Sequence, residues 1–173
     1  MDIKIIKLLD VNNDIFNKVC EWHYNWWGKR DNYSKEEVIC YLEHSLCKNR
    51  IPQTFVALID SIPVGTYQLS MSDDLDHRPD IYPWLANVYV DEQYRGKGIC
   101  RELMNSVQKN ANQINIKELF LYTKHFGLYE KFGWEYVEEI NLFKRKSNKN
   151  YFHNFYYSFL KPSSVSSYCI RHL

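Results

Sequence analysis

"VDEQYRGKGIC", residues 90–100, sets two glycines, an arginine and a lysine directly behind an apolar run, "WLANVYV" at 84–90, and ahead of a stretch with helical spacing. A strand that turns into a helix in this way leaves several backbone N–H groups without partners at the positive end of the helix dipole. Gly96 and Gly98 allow close approach without an intervening Cβ, and Arg95 and Lys97 add charge beside it. The pattern predicts an anion site whose natural guest is a pyrophosphate. Standing alone, "RGKG" also reads as a solvated turn, because short glycine motifs are weakly specific.

The elements on either side supply the context. Upstream, "IKIIKLL" at 3–9 predicts a first strand. Asp14 is a candidate cap for a helix carrying Phe16, Val19, Trp22 and Trp26 at spacings of three and four. Ser34 with Glu37 forms a capping-box pattern ahead of Val38, Leu42 and Leu46, which predicts a second helix. "QTFVALID" and "PVGTYQLSM" predict a hairpin turning at Asp60 and Ser61, and "SDDLDHRPD" at 72–80 an acidic loop. Downstream of the glycines come a helix through Leu103, Met104 and Val107, a strand "KELFLYT", a short helix "FGLYEKF" ended by Gly133, and two strands, "WEYVEEINLF" and "YFHNFYYSFL". The expected architecture is α/β: a mixed, mostly antiparallel sheet of about seven strands with about four helices on its faces.

Composition narrows the function. The 173 residues suffice for one domain, 1–173, with its own core. Lys and Arg total 22 against 21 Asp and Glu, so no global field favours nucleic acid or an anionic membrane as partner. The five cysteines, Cys20, Cys40, Cys47, Cys100 and Cys169, are odd in number and form no C-x-x-C pair, which argues against a disulfide framework or a bound metal. Reduced, buried thiols are expected, and with no signal-peptide pattern in "MDIKIIKLLDVNND" the expected location is cytoplasmic.

"QYRGKG" at 93–98 resembles the Q/R-x-x-G-x-G/A motif of the GNAT superfamily of acyl-CoA-dependent N-acetyltransferases, and "GLYEKFGW" at 127–134 resembles that family's second signature, its tyrosine 34 residues after Arg95. The resemblance implies a GNAT-like fold and acetyl-CoA as cosubstrate. It implies a pyrophosphate held by the backbone N–H groups of Arg95, Gly96, Lys97 and Gly98, continuing to Ile99 and Cys100. Main-chain groups of Val88, Tyr89 and Val90 would pair with the pantetheine amides and the thioester oxygen. Tyr129 falls on the tyrosine that protonates the leaving thiolate, a task that suits a phenol with pKa ~10. Two departures stand out. Cys100 occupies a position often held by Gly or Ala, and "TKHFG" replaces a segment that often carries an Asn, leaving Thr123 and His125 as its substitutes.

The reaction so implied is acetyl transfer to a primary amine of a small molecule or peptide by direct attack. The alternatives are an aminoglycoside-type resistance acetyltransferase and a non-catalytic acyl-CoA-binding regulatory module, with a homodimer as one assembly. The acidic loop, the aromatic segment "EWHYNWWGKRDNY", Trp84 and Tyr82 are candidates for the acceptor side; Asp80 and Glu138 are candidates for a base, and His77 and His125 for a base or proton relay.

Overall fold

Asp60 and Ser61 both adopt positive φ, 49° and 65°, the backbone that a two-residue hairpin loop needs to match the twist of its strands. They join β2 (Gln53–Ile59) to β3 (Ile62–Ser70). Around this hairpin the computed structural model, which describes residues 2–73, 79–142 and 152–160, builds one seven-stranded sheet in the order β1-β2-β3-β4-β5-β7-β6. The other strands are β1 (Lys4–Lys7), β4 (Trp84–Val90), β5 (Glu118–Thr123), β6 (Glu135–Leu142) and β7 (Phe152–Leu160). All neighbours run antiparallel except β4 and β5.

Helices α1 (Asn13–His23) and α2 (Lys35–Glu43) cover one face, and α3 (Ile99–Gln113) the other. Leu103, Met104 and Val107 of α3 pack on Phe55 and Tyr67, whose rings stack at 4.8 Å. Val19 and Trp22 of α1 and Val38 and Leu42 of α2 enclose Val56 and Leu58 on the opposite side. The capping box forms as expected: Ser34 Oγ accepts from Glu37 N at 3.1 Å, and Glu37 Oε2 accepts from Ser34 N at 2.7 Å.

Four local expectations are corrected. Asn12, not Asp14, caps α1, its Oδ1 accepting from Ile15 N at 3.0 Å, while Asp14 sits in the first turn where a negative charge suits the dipole. The first strand stops at Lys7 and passes into a 3-10 turn, Leu8–Asp10. Trp26 lies in a π-helical turn, Tyr24–Gly28, that widens the end of α1. The expected fourth helix is a 3-10 turn, Tyr129–Phe132, because Gly127 and Gly133, at φ 76° and 82°, leave too short a span for an α-helix. Among the described residues the α-helices therefore number three. Of the cysteines, Cys20 is buried as expected, but Cys40 is exposed and Cys47 and Cys100 are half-buried; all four are free thiols, and Cys169 lies outside the described residues.

Candidate active site

β4 and β5 pair where they begin, with Trp84 opposite Phe120 and Phe120 N donating to Pro83 O at 3.0 Å. Among the described residues this is their one ladder pair, so the two parallel strands part towards Val90 and Thr123. A gap between parallel strands leaves backbone groups unpaired, and such groups need partners. The gap opens at the ends of the strands from which the glycine turn and the Tyr129 turn both depart.

β4 is also bulged. Thr66 faces Tyr89 while Gln68 faces Ala86, so Asn87 and Val88 together oppose Tyr67, and Asn87 takes φ 53°. Val88 and Val90 pack towards the α3 side, and Tyr89 points to the α1/α2 side against Trp22 (5.3 Å) and Trp26 (5.8 Å).

After β4, Gly96 and Gly98 sit at φ 75° and 83°, a backbone that side chains resist. A Cβ built on either glycine would meet nothing within 4 Å, so the space in front of both is open. Gly98 caps α3, and its carbonyl accepts from Arg101 N and Glu102 N at 3.0 and 3.3 Å. The N–H groups of Ile99 and Cys100, at the first positions of the helix, have no acceptor within it. A pyrophosphate fits this donor set and this open ground. The cradle is backbone: Arg95 Nε donates to Val90 O at 3.2 Å and its guanidinium meets Glu92 at 3.3 Å, while Lys97 Nζ lies 4.9 Å from the centre of the Tyr94 ring.

Tyr129 is 8 % exposed, wedged between Trp134 (6.2 Å) and Tyr157 (6.1 Å). Burial pushes its phenol well above the ordinary value, and the neighbouring Cys100 thiol adds a smaller push in the same direction. Burial alone raises Cys100. Across 29 residues of sequence, then, the structure brings Cys100 and Tyr129 to one side of the gap. Thr123 closes β5 and its Oγ1 accepts from His125 N at 3.1 Å, so it shapes the turn that leads to Tyr129; His125 itself is exposed. Glu138 lies on β6, which β7 separates from β5. Asp80 is exposed ahead of β4, and Asp74, Asp76 and His77 lie outside the described residues.

The acetyltransferase (GNAT) family model matches residues 15–134, from α1 to Trp134, two residues past the Tyr129 turn. The chain belongs to the GNAT acetyltransferase family. Solved structures agree on the fold. An N-acetyltransferase from Staphylococcus aureus Mu50 superposes with a TM-score of 0.69 at 14% identity, covering 92% of this chain and 99% of that one. A GNAT-family acetyltransferase from Streptococcus pneumoniae gives 0.67 at 12%, covering 92% and 100%. A Bacillus subtilis acetyltransferase in complex with CoA gives 0.60 at 14%, covering 92% and 99%. No curated protein is significantly similar in sequence.

Three residues on the α1/α2 side of β4 form a network that the sequence did not reveal. Tyr41 OH donates to Gln68 Oε1 at 2.6 Å, and Asn87 Nδ2 donates to the same oxygen at 3.0 Å and to Tyr41 OH at 3.3 Å. The signals were faint: Thr66, Gln68 and Ser70 alternate as polar residues on one strand face, and an Asn in mid-strand marks a place where φ can turn positive.

Proposed function

We propose that this GNAT protein transfers the acetyl group of acetyl-CoA to a primary amine of a small molecule or peptide by direct attack. One observation carries the reading: the gap between β4 and β5 ends at an open glycine cradle on one arm and at buried Tyr129 on the other. Backbone N–H groups from Gly96 to Cys100 hold the pyrophosphate, and main-chain groups of Val88, Tyr89 and Val90 line the gap for the pantetheine arm. Bound there, acetyl-CoA supplies an acetyl group activated as a thioester.

The chain's own part is to orient the amine and to move a proton. Tyr129 donates to the sulfur as it leaves with the bonding electron pair, and the one proton that the attacking nitrogen sheds on becoming an amide restores the phenol, so the step closes without net proton uptake. Its raised value keeps the proton on oxygen at neutral pH, so the donor is present whenever the site is occupied. An α-amine with pKa near 8 is roughly a tenth neutral at pH 7 and attacks without a strong base, whereas a lysine-type amine near 10.4 is less than roughly a thousandth neutral.

The test is thiol release from acetyl-CoA with polyamines, aminoglycosides, amino acids and peptide amino ends, alongside the melting temperature. At a hundredfold excess over Kd, acetyl-CoA should stabilise the protein by about 2.7 kcal/mol. Turnover with at least one amine is expected; a melting shift without thiol release from any of them would leave a binding module in place of an enzyme.

A further inference from the structure

The hydrogen bonds of Tyr41, Gln68 and Asn87 leave a remainder. Gln68 is 1% exposed, and its Oε1 is filled by two donors, Tyr41 OH and Asn87 Nδ2. Asn87 Nδ2 spends its second hydrogen on Tyr41 OH. A carboxamide offers two donors and two acceptor sites, so what is left is the Gln68 Nε2 amine and the Asn87 Oδ1 oxygen, neither with a partner among the described residues. Among the described residues, the buried polar atoms sealed in without a partner are His23 Nε2, Trp27 Nε1 and Gln53 Oε1; Gln68 Nε2 is not one of them. The orientation of a carboxamide is assigned from its network, but reversing both amides only exchanges the roles. One donor group, an amide NH2, and one acceptor oxygen remain, on two side chains joined to each other at the β4 bulge.

Their surroundings are aromatic. Trp26, 42 % exposed, tilts over Tyr89 two residues along β4 from Asn87, and Trp27 meets Tyr41 edge-on at 5.4 Å. The pair is electrically neutral and rooted in a buried side chain. A carboxylate placed there would meet the Asn87 oxygen lone pair against lone pair, and one donor would not offset its lost hydration. A neutral carbonyl needs one donor only. An amine N–H donating to Asn87 Oδ1 keeps the nitrogen lone pair free for attack beside Val88.

We propose that the acceptor is an α-amino amide with an apolar or aromatic side chain, its amine taken by Asn87, its carbonyl by Gln68 and its side chain by the Trp26–Tyr89 surface. A peptide amino end and a free aminoacyl amide share this chemistry. The assignment rests on the acetyl-transfer reading above and deepens it.

The experiment compares kcat/KM for three acceptors with one ring: phenylalaninamide, phenylalanine and phenethylamine, with a Phe-initiated tripeptide as the peptide arm. With each kcat/KM divided by the fraction of that amine that is neutral at the assay pH, phenylalaninamide should exceed phenethylamine, which lacks the carbonyl, and phenylalanine, which carries a carboxylate, by at least about tenfold each. A tripeptide equal to the amide or better points to peptide ends; a poorer one points to small amides, and either supports the class. Asn87→Gly keeps a residue suited to positive φ but removes the acceptor, and Gln68→Met removes the donor within the same volume. In Gln68→Met the amide-to-phenethylamine ratio should fall to within about threefold. In Asn87→Gly both of these amines lose the same contact and their kcat/KM should fall together, while the amide-to-phenylalanine ratio narrows to within about threefold because the oxygen that repels the carboxylate is gone. A folded Asn87→Gly protein, judged by its melting temperature, keeps the test sharp if Gln68→Met does not fold. Equal turnover of all three probes, an amide-to-phenethylamine ratio unchanged in Gln68→Met, or an amide-to-phenylalanine ratio unchanged in Asn87→Gly overturns this inference and leaves acetyl transfer standing. No thiol release with any amine overturns the transfer reading, and this one with it.

Discussion

The two sides of β4 are built from different materials. On the α3 side the site is made of backbone: two glycines at positive φ, the first N–H groups of a helix and the main chain of a strand that has parted from its neighbour. On the α1/α2 side it is made of side chains gathered from far apart, with Tyr41 and Gln68 separated by 27 residues and Tyr41 and Asn87 by 46. A backbone site must be written as a contiguous motif, because it depends on consecutive φ values. A side-chain site need not be, and can be rewritten for a new acceptor without disturbing the cofactor.

The largest break in this comparison concerns Tyr129, the one side chain to which the proposed mechanism gives a proton to move. Tyr129→Phe keeps the ring packed against Trp134 and Tyr157 and removes the donor. We expect kcat to fall by roughly two to four orders of magnitude while the calorimetric Kd for acetyl-CoA hardly moves. Near-wild-type kcat, confirmed in a single turnover so that product release is not masking the chemistry, would remove Tyr129 from the mechanism.

The foundation of the acceptor side carries the next effect. His23 is fully buried at the end of α1, its Nδ1 donating to Val19 O at 2.9 Å and its ring edge-on to Trp27 at 6.0 Å. Burial lowers its pKa from 6.5 to about 4. Between these values the unfolded chain binds the proton and the folded chain does not, so stability is complete above pH 6.5 and declines as pH falls towards 4. The loss is about 3 kcal/mol over that window. Melting temperatures from pH 7.5 to 4.5 should show this slope in the wild type and a shallower one in His23→Phe; equal slopes would mean that His23 takes up its proton in the fold as readily as in the unfolded chain.

On the cofactor side, Gly96→Trp should fold, with some strain at φ 75°, because its side chain enters open space. The same side chain then occupies the ground in front of the cradle. The stabilisation of about 2.7 kcal/mol expected from a hundredfold excess of acetyl-CoA should vanish. A folded Gly96→Trp protein with an undiminished shift would place the pyrophosphate elsewhere.

The same contrast explains what could be read from the sequence. The seven strands follow from their apolar runs, and the hairpin at Asp60–Ser61 and the capping box at Ser34 follow from local chemistry. The glycine motif and Tyr129 were legible because each sits in a contiguous signature. The π-helical turn was not, since one extra residue in a helical turn leaves the apolar spacing through Trp22 and Trp26 almost unaltered. Nor was the network of Tyr41, Gln68 and Asn87, because its geometry depends on the α2-to-β3 packing and on a bulge, and both arise only when the sheet is assembled.

Cys100 gives the smallest expected effect and separates two chemistries. It stands at the second position of α3, beside Tyr129, where a thiol at a helix start would ordinarily gain thiolate character from the dipole. Here burial wins, and the thiol is pushed above its usual value. It is therefore protonated at neutral pH and is a weak nucleophile, since the thiolate is the reacting form. Direct attack by the amine needs no acyl-cysteine, so Cys100→Ala should leave kcat and the Kd for acetyl-CoA within about threefold, a lost methyl-sized contact costing no more than about 1 kcal/mol. Mass spectrometry of the wild type incubated with acetyl-CoA and no amine should find Cys100 unmodified. A fall in kcat of two orders or more in Cys100→Ala, together with an acetylated Cys100 that a later addition of amine discharges, would replace direct attack with a covalent relay and move the essential chemistry from the backbone of the cofactor side onto one of its side chains.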